Sequence, residues 1–427
     1  MEIYLNQHIG EINKSIVNEG DKVIKGQLIA IPENFGANIH ASVSGHVKKI
    51  DSNSIFIEPD KAQDKNDYLK IPDKDNKLEL VKEAGVVGAG GAGFPTHIKL
   101  DVDLSDGVVI ANAAECEPIL NHNIKLIEED PEIIFKGMEH ILDITGANKG
   151  YIAIKNKNVK ALIALKSLVS KYPDIEIRYI PDIYPAGDER VIIREILNID
   201  LEPGVLPHEV GALVQNVETI KNIFNAIEKR KPVITKDITV GGRVEKARKG
   251  QVFLDQPLGK KIGDYIEKVG GLIEPAGSIY VGGPYINQKV NINSAITKVT
   301  SGVLVGMPQP NEKRKLGLLA CSCGASVDDL KDIASDMGAE VASIERCKRM
   351  VKVNNQYKCE KPGSCPGQTE KVLALKNQGA KALLVGTCDD WTNTVMTVAP
   401  RVGVPVYHST DHILRATGTK LVRKLKA

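Results

Sequence analysis

The hydrophobic and polar positions of this chain change their period several times, and each change predicts a different kind of element. Residues 1–60 contain short apolar runs with turn residues between them, as at 23–31 and 54–57, which is typical of an all-β module. From residue 75 to residue 230, apolar runs of strand length alternate with longer stretches of helical spacing. This alternation predicts an open α/β sheet.

The α/β stretch predicts its elements in order. Residues 78–84 have helical spacing, and the apolar run at 107–112 has the length of a strand. The same reasoning continues up to residue 197. The expected elements are a helix over 123–142, a strand over 149–154, a helix over 159–169, a strand over 175–180 and a helix over 191–197.

The remaining chain predicts two more units. Residues 235–307 contain short strands and a helical segment that ends at Gly270 and Gly271. Residues 315–427 follow a charged, proline-bearing linker and have their own rhythm of strands and helices. The fold class that we expect is therefore multidomain α/β, divided into residues 1–60, 75–230, 235–307 and 315–427.

Composition narrows the classes of function. The chain of 427 residues carries 56 Lys and Arg against 54 Asp and Glu, and only 4% of its residues are aromatic. This balance argues against a nucleic-acid-binding protein and against a polybasic membrane surface. Apolar runs stay shorter than a membrane span, and the first residues do not resemble a signal peptide. We expect a cytoplasmic protein without a transmembrane segment and without a nucleic-acid partner.

A glycine-rich loop is the strongest local signal. Five glycines lie within the nine residues from Gly85 to Gly93, and Pro95 and Lys99 follow. Glycine allows positive φ and lets a ligand approach the peptide groups closely, and Pro95 suits the first turn of a helix. Amide groups that lead into a helix favour a phosphate or another anion, to which Lys99 adds a positive charge. A Walker loop is excluded, because no Gly-Lys-Ser/Thr follows.

Further polar motifs lie near the ends of predicted strands. Asn112-Ala-Ala-Glu-Cys-Glu-Pro118 follows the strand over 107–112, and ligands collect at such strand ends in α/β folds. Tyr184-Pro-Ala-Gly-Asp-Glu-Arg190 and Gln215-Asn-Val-Glu-Thr219 come later in the chain. From the residues alone, each motif also has a structural interpretation: a helix cap at Asn112, solvated loop charges at the two glutamates of the first motif, and pairing with backbone in the last motif.

Taken together, the glycine-rich loop with Lys99, the motif at 112–118 and the motif at 215–219 resemble the FMN site of the flavin subunit of complex I and of its relatives, which include RnfC of the Rnf electron-transport complex. Residues 1–60 resemble a biotinyl/lipoyl-type barrel-sandwich module that lacks the lysine of a swinging arm. Residues 235–307 look like the ubiquitin-like SLBB module of the same family. RnfC proteins carry paired ferredoxin-type cysteine runs that are missing here, and the layout instead resembles electron-transfer proteins associated with proline reductase.

The resemblance implies a role for each matching residue. It assigns the loop and Lys99 to the flavin phosphate and ribityl chain, and it assigns Glu115 and Glu189 to the reacting end of the site, with Glu189 near the entry of NADH. Cys116 would line the flavin ring without redox chemistry of its own. The implied flavin-binding residues are Gly88, Gly90, Gly91, Lys99, Asn112, Glu115, Tyr184, Gly187, Glu189, Asn216 and Thr219.

Six of the seven cysteines lie after residue 320. Cys321-Ser-Cys323 ends one predicted strand and Cys388 ends a later one, so these thiols converge if the two strands are neighbours. The pattern resembles the iron–sulfur module at the amino terminus of the flavin-containing component of heterodisulfide reductase. A [4Fe–4S] cluster, a dithiol–disulfide couple, a structural zinc ion and inert core thiols all remain open. The candidate metal ligands are Cys321, Cys323, Cys365 and Cys388, and the other loop cysteines are Cys347 and Cys359.

The resemblance implies an FMN-dependent oxidoreductase that passes electrons from NADH through FMN to the cysteine centre and on to a partner reductase. The implied partner is D-proline reductase. Two alternatives belong to other classes of protein. One is a non-catalytic docking scaffold with the fold of a flavin subunit, and the other is a peripheral subunit of an Rnf-type membrane complex.

Overall fold

The computed structural model describes residues 1–64, 66–91 and 93–423, and its amino-terminal unit consists of two small antiparallel sheets around one core. The expected strand over 23–31 is divided in two, because Gly26 has a φ of +88° and the chain turns between Ile24 and Gln27. The strands are β1 (Glu2–Tyr4), β2 (Lys14–Ser15), β3 (Lys22–Val23), β4 (Leu28–Ile31), β5 (Ile39–His40), β6 (Gly45–Ile50) and β7 (Ser54–Pro59).

The second unit is built on a parallel sheet. Its strands are β8 (Val108–Ala113), β9 (Lys149–Lys155), β10 (Ile175–Ile180) and β11 (Ala212–Asn216), in the spatial order β10-β9-β8-β11. β8 pairs with β9 on one side and with β11 on the other. The strand order therefore reverses between β8 and β11, and ligands of open α/β sheets bind at the carboxyl edge of such a switch point.

The helices of this unit differ from expectation at one place. The single helix expected over 123–142 is wrong, because two helices meet at Asp130 and Pro131. Pro131 lacks an N–H group and occupies the first turn of the second helix, and the Asp130 carboxylate accepts from the Ile133 N–H. The helix expected over 159–169 ends earlier, at Lys166. The helices are α1 (Lys77–Glu83), α2 (Thr96–Leu100), α3 (His122–Glu129), α4 (Pro131–Thr145), α5 (Val159–Lys166), α6 (Glu189–Leu197) and α7 (Val217–Glu228).

The third unit is a mixed sheet with a helix packed on it. β12 runs parallel to β16, and Tyr265 of the helix lies in the core with Ile238 and Val303 of the sheet. The SLBB assignment of this unit stays a prediction. The elements are β12 (Thr235–Gly242), β13 (Gln251–Pro257), α8 (Ile262–Lys268), β14 (Ile279–Gly282), β15 (Asn287–Val290) and β16 (Gly302–Val305), with the sheet order β13-β12-β16-β14-β15.

The tail contains a second parallel sheet and a separate hairpin. The strand before Cys321 pairs with the strand before Cys388, with Ala320 opposite Gly386, so the condition for convergence of these thiols is met. The elements are β17 (Leu316–Ala320), α9 (Val327–Asp336), β18 (Val341–Arg346), the hairpin β19 (Met350–Val353) and β20 (Gln356–Cys359), α10 (Thr369–Asn377), β21 (Ala382–Gly386), α11 (Asp389–Val398), β22 (Val406–His408) and α12 (Asp411–Thr417), with the order β18-β17-β21-β22.

Across the described ranges, no helix has both the length and the apolar character that a bilayer crossing requires. The longest described helix is α4, with 15 residues, whereas a transmembrane helix needs about 20.

Candidate functional site

Two asparagines lie side by side at the carboxyl ends of β8 and β11. Asn112 and Asn216 are register partners in this parallel pair, so both lie at the switch point. Asn112 donates to the Gly187 carbonyl at 3.0 Å and accepts from the Ala114 N–H at 3.1 Å. Asn216 caps α7 by accepting from the Glu218 N–H at 2.8 Å. Hydrogen bonds therefore hold both side chains in place at the expected ligand position.

The glycine-rich loop lies against the first turn of α7. The Ala89 N–H donates to the Thr219 hydroxyl at 2.9 Å. A Cβ atom on Gly90 would lie 3.2 Å from Asn216 Nδ2, whereas among the described residues no atom beyond the chain neighbours lies within 4 Å of the Cβ position of Gly91, whose φ is +132°. The loop is thus packed against Asn216 at Gly90 and open at the Cβ position of Gly91.

Residues of the first and third units support the same loop from behind. The Ile9 N–H donates to the Gly93 carbonyl at 3.1 Å, and a Cβ atom on Gly93 would lie 2.8 Å from Val299 Cγ1. The buried Lys298 ammonium donates to the Gly85 carbonyl at 2.7 Å, and burial lowers the pKa of Lys298 to about 7. Gly88 closes the loop with its N–H 2.9 Å from the Phe94 carbonyl. Three units therefore shape the loop.

Lys99 and Glu189 lie together at this site. The Lys99 ammonium is 2.5 Å from a Glu189 carboxylate oxygen and also donates to the Val214 carbonyl of β11 at 2.7 Å. Glu189 opens α6, whose cap is the Asp188 carboxylate. Two residues to which the resemblance gives separate roles are thus in direct contact.

Tyr184 is oriented toward the tail. Its ring stacks on Tyr285 of the third unit, with ring centroids 3.6 Å apart and planes 2° apart. The Asp389 carboxylate of α11 accepts from the Tyr184 N–H at 3.0 Å and from the Tyr285 hydroxyl. Tyr184 is only 4% exposed, and burial raises the pKa of its hydroxyl. One face of the expected flavin-site wall is therefore covered by Tyr285.

The Glu-Cys-Glu segment after β8 contains a carboxyl group whose environment the sequence did not reveal. The Glu115 carboxylate accepts from the Asn123 N–H at 2.9 Å, and Glu115 itself has a φ of +37°. The Glu117 carboxylate accepts from the N–H groups of Tyr285 and Ile286 at 2.9 and 3.0 Å. Burial raises the pKa of Glu117 to about 8, so the interpretation of Glu117 as a solvated loop charge is wrong.

A cavity of about 540 Å³ lies beside these residues. Glu115 and Tyr184 contribute to its wall from the second unit, as does Lys155 at the end of β9. Tyr285 and Asp389 line it from the third unit and the tail. Its volume is in the range of small-molecule sites, and it lies where three units meet.

Five thiols of the tail gather in one buried cluster. Cys321 and Cys323 are in hydrogen-bonding contact, Cys321 also contacts Cys347, and Cys323 also contacts Cys359. Cys388, at the cap of α11, belongs to the same cluster. The contact with Cys323, together with burial, raises the pKa of the Cys359 thiol. The thiols of Cys347, Cys321, Cys323 and Cys359 thus form one series of contacts, in that order.

The expected ligand set differs from this cluster. Cys365 is half-buried at its margin, where its sulfur lies 3.3 Å from the Thr394 hydroxyl and accepts from the Gly367 N–H at 3.3 Å. Cys347 and Cys359 are the thiols in contact with the Cys-x-Cys turn. Their positions on either side of the β19–β20 hairpin could have signalled this. Within residues 1–64, 66–91 and 93–423, no group of three or more His, Cys, Asp or Glu is arranged to hold a metal ion.

Two protein-family models match the chain. The Nuo51 FMN-binding domain matches residues 81–225, and the RnfC barrel sandwich hybrid domain matches residues 1–63. These matches confirm the expected FMN-type domain and the amino-terminal barrel-sandwich module. Neither extends to the third unit or the tail.

Named relatives show the same likeness over longer stretches. The RnfC-type component of the proton-translocating ferredoxin:NAD(+) oxidoreductase complex of Clostridium ljungdahlii is 34% identical over 71% of this chain and 69% of its own length. Cobalamin reductase PduS of Salmonella typhimurium is 37% identical over 54% of this chain, and the match spans 50% of PduS. An NAD+-reducing [NiFe]-hydrogenase chain of known structure aligns over 54% of this chain and 46% of its own length, with 21% identity and a TM-score of 0.47.

Proposed function

Since this chain belongs to the RnfC family of electron-transport flavin subunits, we propose that it is an FMN-dependent oxidoreductase that takes electrons from NADH. The electrons would leave through the thiol cluster of the tail to a partner reductase. The observation that supports this most directly is the convergence of Asn112, Asn216 and the glycine-rich loop at the switch point of the parallel sheet.

The residues present fit a flavin mononucleotide. The open side of the loop at Gly91 offers amide groups to a phosphate, and Lys99 supplies the positive charge. The Asn112 amide and the Glu115 carboxylate would lie along the ring system. The other proposed contacts are Gly88, Gly90, Tyr184, Gly187, Glu189, Asn216 and Thr219.

Bound FMN supplies the hydride acceptor and the conversion from two-electron to one-electron transfer. The chain's own residues orient the cofactor and set the local field. Glu189 would lie where the nicotinamide enters, and its ion pair with Lys99 would hold its carboxylate in place there. The stacked rings of Tyr184 and Tyr285 leave no room for water between them and join this region to Asp389 of the tail.

We propose D-proline reductase as the partner, because the layout of modules resembles that of the proline reductase-associated protein PrdC. The second candidate is assembly into an Rnf-type complex, in the place of its RnfC component, and the 69% coverage of the Clostridium ljungdahlii relative supports it. For that candidate the protein would lie on a membrane complex, whereas the first places it in the cytoplasm.

The test is the flavin content of the purified protein and its response to NADH. We expect about one FMN per chain to be released on denaturation, and the yellow absorbance to bleach when NADH is added without oxygen. A colourless protein that takes up no FMN would instead support a docking scaffold. If the protein retains flavin but NADH does not bleach it, the FMN site is supported and NADH is excluded as the electron donor.

A further inference from the structure

One pair of thiols in the tail belongs to the same buried cluster as Tyr184 of the proposed flavin site. Cys323 follows β17 in the Cys-x-Cys turn, and Cys359 ends β20. Their side chains are hydrogen-bonding partners, and they are 8% and 7% exposed. Two sulfurs in contact, contributed by separate elements, are the starting point for a disulfide.

The other thiols have different surroundings. Cys321 lies in the same turn as Cys323, where the Gly324 N–H donates to the Cys321 carbonyl at 3.2 Å. A bond between cysteines two positions apart closes a small, strained ring. The Cys347 sulfur accepts from the Arg349 N–H at 3.3 Å, which holds it in its own turn. Cys359 is therefore the better partner for Cys323.

Arg190 connects this pair to the flavin motif. Arg190 follows Glu189 on α6, and its guanidinium donates to the Cys359 carbonyl and, at 2.6 Å, to the Glu360 carbonyl. On the other side, Tyr184 belongs to the same buried cluster as both thiols. The segment 184–190 thus contributes to the proposed flavin site and also contacts the thiol pair.

We propose that Cys323 and Cys359 form a redox couple, a dithiol that is oxidised to a disulfide and reduced again within the protein. This inference rests on the proposed function, because the reductant is of the dihydroflavin class. In the reductive step the S–S bond accepts two electrons and two protons and breaks into two thiols, while the dihydroflavin is oxidised to flavin. In the reverse direction, a disulfide of the partner accepts the same two electrons and two protons.

The test uses the 427-residue protein, purified without oxygen and divided into two samples, of which one is then oxidised and the other is reduced with dithionite. Alkylation of free thiols followed by peptide mass mapping should find the Cys323–Cys359 disulfide in the oxidised sample and both thiols in the reduced sample. A reductive titration should consume two electrons per chain more than the bound flavin alone accepts. The extra electrons should disappear in Cys359→Ser and in Cys323→Ser, and they should remain in the matched control Cys347→Ser.

Iron, zinc and acid-labile sulfide are measured in the same samples. Stoichiometric metal that is present in the wild type and lost in Cys359→Ser overturns the proposal, as does a wild-type protein whose Cys323 and Cys359 alkylate fully under both conditions. Thiol mapping of the wild-type protein tests the proposal even if a variant fails to fold. Flavin content is measured separately, by fluorescence after denaturation. If the protein contains no flavin but forms a Cys323–Cys359 disulfide that dithiothreitol reduces, the proposed function is contradicted and the redox couple is supported.

Discussion

Lys99 and Glu189 form an ion pair of 2.5 Å although 90 residues separate them in the sequence. The pair joins α2, just after the glycine-rich loop, to the first turn of α6. A phosphate held at the loop would compete with Glu189 for the Lys99 ammonium. The two roles that the resemblance assigns to these residues are therefore coupled through one cation.

Reversing the charge of Lys99 should remove the flavin. Lys99→Glu replaces a favourable contact with repulsion of the phosphate, and loss of a hydrogen bond to a charged group alone costs about 1.5–3 kcal/mol, or roughly 10- to 100-fold in affinity. Flavin retained after gel filtration is the measurement. The control Lys82→Glu makes the same charge change on α1 and should keep its flavin. Equal flavin content in both variants contradicts the phosphate assignment.

Adding a methyl group at Gly91 should weaken FMN binding without a larger loss of stability than at a remote glycine. Gly91 and Gly271 both have positive φ, +132° and +89°, and in the part of the chain that the structure describes neither Cβ position has an atom within 4 Å other than those of its chain neighbours. Alanine is strained at both positions, because a residue with a Cβ atom rarely adopts a positive φ of this size. Gly91→Ala should raise the dissociation constant of FMN, measured by fluorescence titration, whereas Gly271→Ala should leave it unchanged. A similar affinity in both variants means that the open side of the loop does not receive the ligand.

Glu117 should make a contribution to the stability of the protein that falls as the pH rises from about 4.5 to 8, opposite in sign to the contributions of buried histidines such as His122 and His412, whose pKa values burial lowers to about 4. The folded-state pKa of Glu117, about 8, lies above the ordinary value, so the folded state binds the extra proton in this window and the unfolded state does not. The slope from one such group is at most about 1.4 kcal/mol per pH unit. Glu117→Gln should remove this contribution, so that the free energy of unfolding of the wild type relative to the variant falls from pH 5.5 to pH 7.5, as measured by chemical denaturation at both pH values. Parallel curves for the variant and the wild type refute this assignment.

Removing the Tyr285 hydroxyl should loosen the contact between the third unit and the tail. Tyr285→Phe keeps the stack on Tyr184 but leaves the Asp389 carboxylate without one donor. We expect a loss of about 1.5–3 kcal/mol in the free energy of unfolding. The control Tyr357→Phe removes a hydroxyl from a ring that is 45% exposed and should change stability little. If Tyr285→Phe unfolds at the same denaturant midpoint as the wild type, this contact does not stabilise the packing of the third unit against the tail.

Local pattern was sufficient for the elements whose determinants are local. The strand over 175–180 is found where the sequence predicts it, as an edge strand that is buried at Ile175 and Ile180 and exposed at Arg178 and Tyr179. The single helix expected over 123–142 is wrong, because Asp130 caps a new helix that begins at Pro131. This Asp-Pro pair is a recognisable helix start, but the apolar spacing on both sides of it favoured one continuous helix. Periodicity alone therefore located elements better than it located their ends.

The sequence predicted the candidate site where the site residues belong to continuous motifs. It did not predict the contacts that join residues from distant segments of the chain. Asn112 and Asn216 belong to recognisable motifs at strand ends, and the parallel pairing places them together. The contact of Glu117 with the backbone at Tyr285 joins residues 168 positions apart, and the sequence around Glu117 does not predict it. The same holds for Cys359, because its contact with Cys323 depends on how the hairpin folds back over the sheet.

The back of the glycine-rich loop is formed by Ile9 and Val299, residues that precede and follow the flavin-type unit in the chain. If that unit were excised, it would keep every motif residue but lose the residues that pack against the back of its glycine-rich loop. Exchange of the flanking modules between homologues, by recombination in nature or by engineering, would therefore retune cofactor affinity even when the motif itself is left untouched.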